Sequence, residues 1–168
     1  TPVKLNVVLI KGVNDDEIED FARMTMENDL TVRFIELMPL GDNSDWAKKH
    51  YISITEIKEE LNQLDSLLSA EEGVGNGPAR YYKFPDAVGK LGFISPISDH
   101  YCALCNRIRL TADGFLKPCL LADREFNIRK VIRSNNESDD LKEVLQQAVL
   151  AKPKQGLGDE VDTDFEVN

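Results

Sequence analysis

The chain has 168 residues, 42% of them hydrophobic, enough to bury the core of one domain or slightly more. Its formal charge of -10 excludes a nucleic-acid surface, because phosphate backbones need clustered cations, so any anion site must be local. No run approaches the roughly 18 apolar residues of a membrane span and no basic-then-apolar leader opens the sequence, so a soluble, cytoplasmic chain without membrane contact is expected.

TPVKLNVVLI begins almost at once on a buried-strand pattern, without a cap or loop, and we expect the chain to be a piece of something longer. KLNVVLI (4 to 10) reads as a strand. NDDEIEDFARMTMEN follows as a helix with Ile18, Phe21, Ala22 and Thr25 on one face and acids in its first turn. TVRFIELM (31 to 38) is the next strand, and Pro39 to Trp46 reads as a loop. Ser53 and Glu56 form a capping box that opens a helix carrying Ile54, Ile57, Leu61 and Leu64. Strand, helix, strand, helix predicts a parallel α/β layer.

From about residue 65 the pattern becomes α+β. GVGNGP lacks the Gly-Lys-Ser/Thr ending of a phosphate cradle and reads as a loop. The short strands ARYYKF and KLGFIS precede a cysteine segment, and helices are expected near 123 to 133 and 139 to 151, the second with Leu141, Val144, Leu145 and Ala148 as its apolar stripe. The last ten residues, DEVDTDFEVN, hold five acids and no apolar period, so a solvated, disordered tail is expected.

Cys102, Cys105 and Cys119 are the only cysteines, an odd count that favours a reducing compartment over a disulfide framework. C-x2-C-x13-C with Arg107 and Arg109 just after the second thiol points to a metal centre beside an anion pocket. Three thiols leave a fourth metal position open. NRIRLTA and FLKPCL flank Ala112, Asp113 and Gly114, which is a hairpin signal. A two-residue turn at Asp113-Gly114 would set Cys119 opposite Ile108, away from the arginines. A three-residue connection with Gly114 left-handed sets it opposite Arg107 and two residues from Cys105, roughly 7 Å along a strand. The second geometry suits an iron-sulfur cube and is the one expected. A zinc knuckle with His100 as fourth ligand, or a disulfide between two of the thiols, are the competing readings.

KLNVVLIKGVNDDEI, VRFIELMP, GPARYY and GFISPISDHYCALCNRIRLTADGFLKPCL together resemble the GTP 3',8-cyclases, the molybdenum cofactor biosynthesis protein A family of radical S-adenosylmethionine enzymes, from about residue 3 to 153. The resemblance implies an α/β fold: the C-terminal part of an incomplete (βα) TIM-like barrel over 1–64, an α+β region over 65–153 with a β-hairpin carrying an Fe-S site, and the acidic tail, 154–168. It implies a lyase of molybdenum cofactor biosynthesis that turns GTP into a cyclic pterin precursor with two [4Fe-4S] clusters and S-adenosylmethionine. The family's radical-generating C-x3-C-x2-C motif does not occur in these 168 residues, so alone they are expected to make no product. Carried over by motif, Cys102, Cys105 and Cys119 hold the second cluster, and Arg107, Ile108 and Arg109 bind GTP. Lys4 and Arg33 add GTP contacts, and Met38 contacts S-adenosylmethionine. Strict alternation puts Arg33 and Met38 on opposite faces, so both serve one cavity only if the strand ends or bulges near Leu37. A homodimer is implied, with the product passed to the cyclic pyranopterin monophosphate synthase. The chain departs from the family in ending on DFEVN rather than a Gly-Gly pair. A structural zinc module, or an auxiliary-cluster domain without catalysis, is the alternative function.

Overall fold

The computed structural model describes residues 3–40, 44–71, 77–99, 102, 105–134 and 138–153, with backbone only at 138 and 139. The GVGNGP run falls largely outside these residues; His100 and the acidic tail fall wholly outside. The chain divides into two compact units, residues 1–101 and 102–168.

The first unit is a five-stranded mixed sheet with helices on one face. Its strands are β1 (Val3–Val8), β2 (Leu30–Ile35), β3 (Leu68–Ser69), β4 (Arg80–Lys83) and β5 (Lys90–Ile94), in spatial order β1-β2-β5-β4-β3. β1, β2 and β5 run parallel, while β4 and β3 pair antiparallel. The expected parallel layer is present as the first part of this mixed sheet. β5 slots between β2 and β4 and completes the sheet that β1 and β2 begin.

Register decides which face is covered. Leu5, Val32, Leu91 and Tyr82 form one cross-strand row, and Val7, Phe34 and Phe93 another. These pack with Ile18 and Ala22 of α1 (Ile18–Glu27) and Ile54, Ile57 and Leu61 of α3 (Ile54–Leu64). Burying each Phe or Leu contributes about 1.5 to 3 kcal/mol. α1 follows a single 3-10 turn at Asp15–Glu17, and Thr25 is buried with its hydroxyl donating to the Ala22 carbonyl at 2.8 Å. At α3 both arms of the capping box form: Glu56 N–H donates to Ser53 Oγ at 3.2 Å, and Ser53 N–H to Glu56 Oε2 at 2.8 Å.

One segment read as loop is partly helical. α2 (Ser44–Lys49) has Asp45 in its first turn and Lys48 and Lys49 in its last, which complements the helix dipole, but six residues are too few to show a period.

The second unit holds a three-stranded sheet, β6 (Arg109–Leu110), β7 (Phe115–Lys117) and β8 (Phe126–Asn127), and the helices α4 (Ile128–Arg133) and α5 (Ser138–Leu150). The helix expected from 123 begins only at Ile128. Phe126 pairs with Leu116 and is buried against it, and Asn127 caps α4 by accepting from Lys130 N–H at 2.8 Å. Ala148 is fully buried with Leu116 and Phe126, with Val144 and Ala151 packed alongside. Leu145 is exposed, so the buried stripe of α5 is narrower than its sequence pattern.

Candidate functional site

The cysteine segment folds as the three-residue hairpin. Arg109 pairs with Lys117 and Leu110 with Leu116, Thr111 N–H donates to the Phe115 carbonyl at 2.8 Å, and Gly114 sits at φ +87°. A β-carbon on Gly114 would lie 2.5 Å from Cβ of Arg129, so both its backbone angle and the approach of α4 demand glycine. The Thr111 hydroxyl donates to the Asp113 carboxylate and, with the Arg129 guanidinium, holds that carboxyl below its usual pKa.

Among the described residues the backbone ladder has no pair beyond Arg109–Lys117. Two residues past it on each arm stand Arg107 and Cys119. Arg107, Ile108 and Arg109 are all exposed, and the three thiols are half-buried with none in a disulfide. Cys105 N–H donates to the Cys102 carbonyl at 3.1 Å, a tight turn that keeps the first two thiols on neighbouring backbone. Burial pushes the Cys105 thiol up, but the Arg107 backbone N–H and the Lys152 ammonium outweigh it, so its pKa lies below the usual value. Lys152 Nζ also donates to the carbonyls of Arg107 at 2.7 Å and Pro118 at 3.2 Å.

Three half-buried thiols, none of them in a disulfide, are by their chemistry a donor set for a thiophilic metal or cluster with an open position. Among the described residues no three His, Cys, Asp or Glu side chains, these thiols included, are gathered closely enough to hold a metal ion as they stand. The competing fourth ligand, His100, lies outside the described residues.

In the first unit, the sheet face away from the helices carries the other candidates. Lys4 is exposed on β1 and pairs with Thr31, which pairs with Lys90. The next row on that face is Asn6, Arg33, Gly92 and Tyr81. Arg33 Nε donates to Asn6 Oδ1 at 2.7 Å, and its aliphatic stem crosses Gly92 beside the Tyr81 ring. A β-carbon at Gly92 would sit 2.9 Å from Arg33 Cγ and 3.1 Å from Tyr81 Cε1. β2 ends at Ile35, so strand alternation does not extend to the half-buried Met38.

The stretch between β2 and Met38 contains Glu36, which is 1% exposed. Its carboxylate accepts from Tyr51 Oη at 3.0 Å, Ile54 N–H at 3.0 Å, Ile97 N–H at 2.8 Å, Ser98 N–H at 3.0 Å and the Ser98 hydroxyl. It thereby ties the end of β2 to the start of α3 and to the segment after β5. Burial, and then the Glu36 charge, push the Tyr51 phenol above its usual pKa.

Residues 30–157 match the family model described as Molybdenum Cofactor Synthesis C. The chain belongs to that family. It is 49% identical over 154 residues to a GTP 3',8-cyclase of Alkaliphilus oremlandii, covering 92% of this chain and 46% of the relative. It is 46% identical over 155 residues to that of Desulforamulus reducens, and 45% over 158 residues to that of Thermodesulfovibrio yellowstonii, in each case covering 48% of the relative. The chain thus spans about half the length of the curated relatives it matches.

Sequence reasoning missed Asn6, Glu36 and Lys152. Glu36 carried a signal, as an acid inside the apolar run FIELM. Asn6 and Lys152 carried none, because each acts through a partner distant in the chain.

Proposed function

We propose that this chain supplies the second-cluster and GTP-binding region of a radical S-adenosylmethionine GTP 3',8-cyclase, a lyase of molybdenum cofactor biosynthesis. In this reading residues 1–64 belong to an incomplete TIM-like barrel and 65–153 to the region that holds substrate. Cys102, Cys105 and Cys119 would hold a [4Fe-4S] cluster, which when bound offers an iron with a free position for the guanine base. The hairpin register carries the proposal: an odd connection leaves Arg107 and Cys119 at matching positions past the ladder, so the cationic arm and the third thiol belong together.

Arg107 and Arg109 present fork-shaped donors suited to phosphate oxygens, with the Ile108 backbone between them. Lys4 and Arg33 add charge from the open sheet face, and Met38 contacts S-adenosylmethionine. Each group binds and orients, and orientation alone can supply several kcal/mol of a barrier. Radical generation would come from a C-x3-C-x2-C region that these 168 residues do not contain, so alone they form no product. The assembled enzyme would be a cytoplasmic homodimer that delivers its product to the cyclic pyranopterin monophosphate synthase.

Anaerobic reconstitution with iron and sulfide, followed by metal analysis and GTP calorimetry, tests this. About four irons per chain are expected. Removing a charge-assisted bidentate contact removes about 1.5 to 3 kcal/mol, so Arg107→Ala and Arg109→Ala should each weaken GTP binding at least tenfold without loss of fold. One zinc per chain and no GTP binding would leave a structural metal module instead.

A further inference from the structure

We propose that Lys152 is a positioning residue for the cysteine hairpin, holding its two arms together where the backbone ladder ends and placing a positive charge against the metal group. The inference rests on the reading of the three thiols as metal ligands.

Past Arg109–Lys117, among the described residues, no backbone pair joins the arm bearing Cys105 to the arm bearing Cys119. The Arg107 and Pro118 carbonyls, one on each arm, nonetheless converge on a single nitrogen, Lys152 Nζ, at 2.7 and 3.2 Å. The same ammonium places its positive charge beside the Cys105 thiol. An ammonium has three donors, and two of them are spent on the hairpin's two arms. A lysine after a helix commonly turns back to that helix's last carbonyls, whereas this one reaches away from α5.

Its root is fixed as well. Ala151 N–H donates to the Gln147 carbonyl at 2.9 Å and Lys152 N–H to the Val149 carbonyl at 3.2 Å, which continues the last turn of α5. Ala151 also packs on the core of Leu116, Phe126 and Ala148. The lysine therefore rises from the same small core that carries β7, and its position relative to the hairpin is set by packing. A cation lodged there raises the reduction potential of an iron-sulfur group.

The test uses the 168-residue chain with Lys152→Met, Lys152→Gln and, as a control for net charge, Lys142→Met on the exposed side of α5. After anaerobic reconstitution, Lys152→Met should lose iron to a chelator at least tenfold faster than wild type. Lys152→Gln keeps N–H donors but no charge, so it should retain iron better than the Met variant while its reduction midpoint moves to more negative potential. Lys142→Met should change neither. Wild-type iron retention together with an unmoved midpoint in both Lys152 variants would overturn the proposal. If circular dichroism shows Lys152→Met unfolded, the midpoint of Lys152→Gln decides. Should the wild type take up no iron and sulfide, the metal reading itself fails. The pinning is then judged on the apo chain, where amides of residues 105 to 109 should exchange at least tenfold faster in Lys152→Met and equal rates would refute it.

Discussion

At the scale of single residues, two carboxylates behave oppositely. Glu36 is nearly inaccessible and acts only as an acceptor, so exchanging it for an amide turns an NH2 group toward backbone N–H donors. Glu36→Gln should cost about 2 to 4 kcal/mol, read as a lowered denaturant midpoint with unchanged slope. Asp113 is exposed and has its pKa depressed in the folded state. Its contribution is therefore present above the unfolded pKa, about 3.9, and lost as pH falls through the lower folded value. The difference in thermal midpoint between wild type and Asp113→Asn should shrink steadily below about pH 4; a difference that stayed constant to pH 2 would contradict the Thr111 contact as its source. The acid inside the apolar run FIELM was a signal for Glu36, but its partners could not be read from the chain. The amide donors that meet Glu36 lie up to 62 residues away, and the Lys152 contact to Arg107 spans 45.

Elements show where sequence does suffice. The capping box was legible because Ser53 and Glu56 are three residues apart and satisfy each other's neighbours. The hairpin was legible for the same reason: Asp113 and Gly114 restrict the turn, and the strand period then carries the consequence outward. Gly114→Ala tests this. The left-handed angle and the 2.5 Å approach to Arg129 together predict a loss of about 1 to 3 kcal/mol, with β6 and β7 amide exchange rising first. Unchanged exchange would mean that the turn tolerates a side chain. α2 and the start of α4 escaped detection because one is short and the other is set by Phe126 pairing with Leu116, a tertiary choice.

For the molecule as a whole, strand order is the part that sequence conceals. The succession of β1, α1, β2 and α3 announced parallel pairing, yet the neighbour of β2 is β5, which begins at Lys90 after two further strands. Among the described residues β1 pairs on one side only, and Val8 stands exposed on this edge strand. Unpaired strand edges recruit other strands. These 168 residues should therefore self-associate with rising concentration in sedimentation velocity, and Val8→Lys should shift the distribution toward monomer. A wild-type chain that stayed monomeric at high concentration would show the edge to be protected.

The odd hairpin connection also bears on how such chains diversify. Thirteen residues separate Cys105 from Cys119, and with a three-residue turn Arg107 and Cys119 share a register position. Deleting Ala112 would shorten spacing and turn together and preserve that match. Tightening the turn at constant length would move Cys119 opposite Ile108 and break it. The match therefore depends on the parity of spacing plus turn rather than on thirteen as a number. Chains that lose or gain a residue within the turn, or one on each arm, are expected to keep the match, and a motif search that fixes the spacing would discard them.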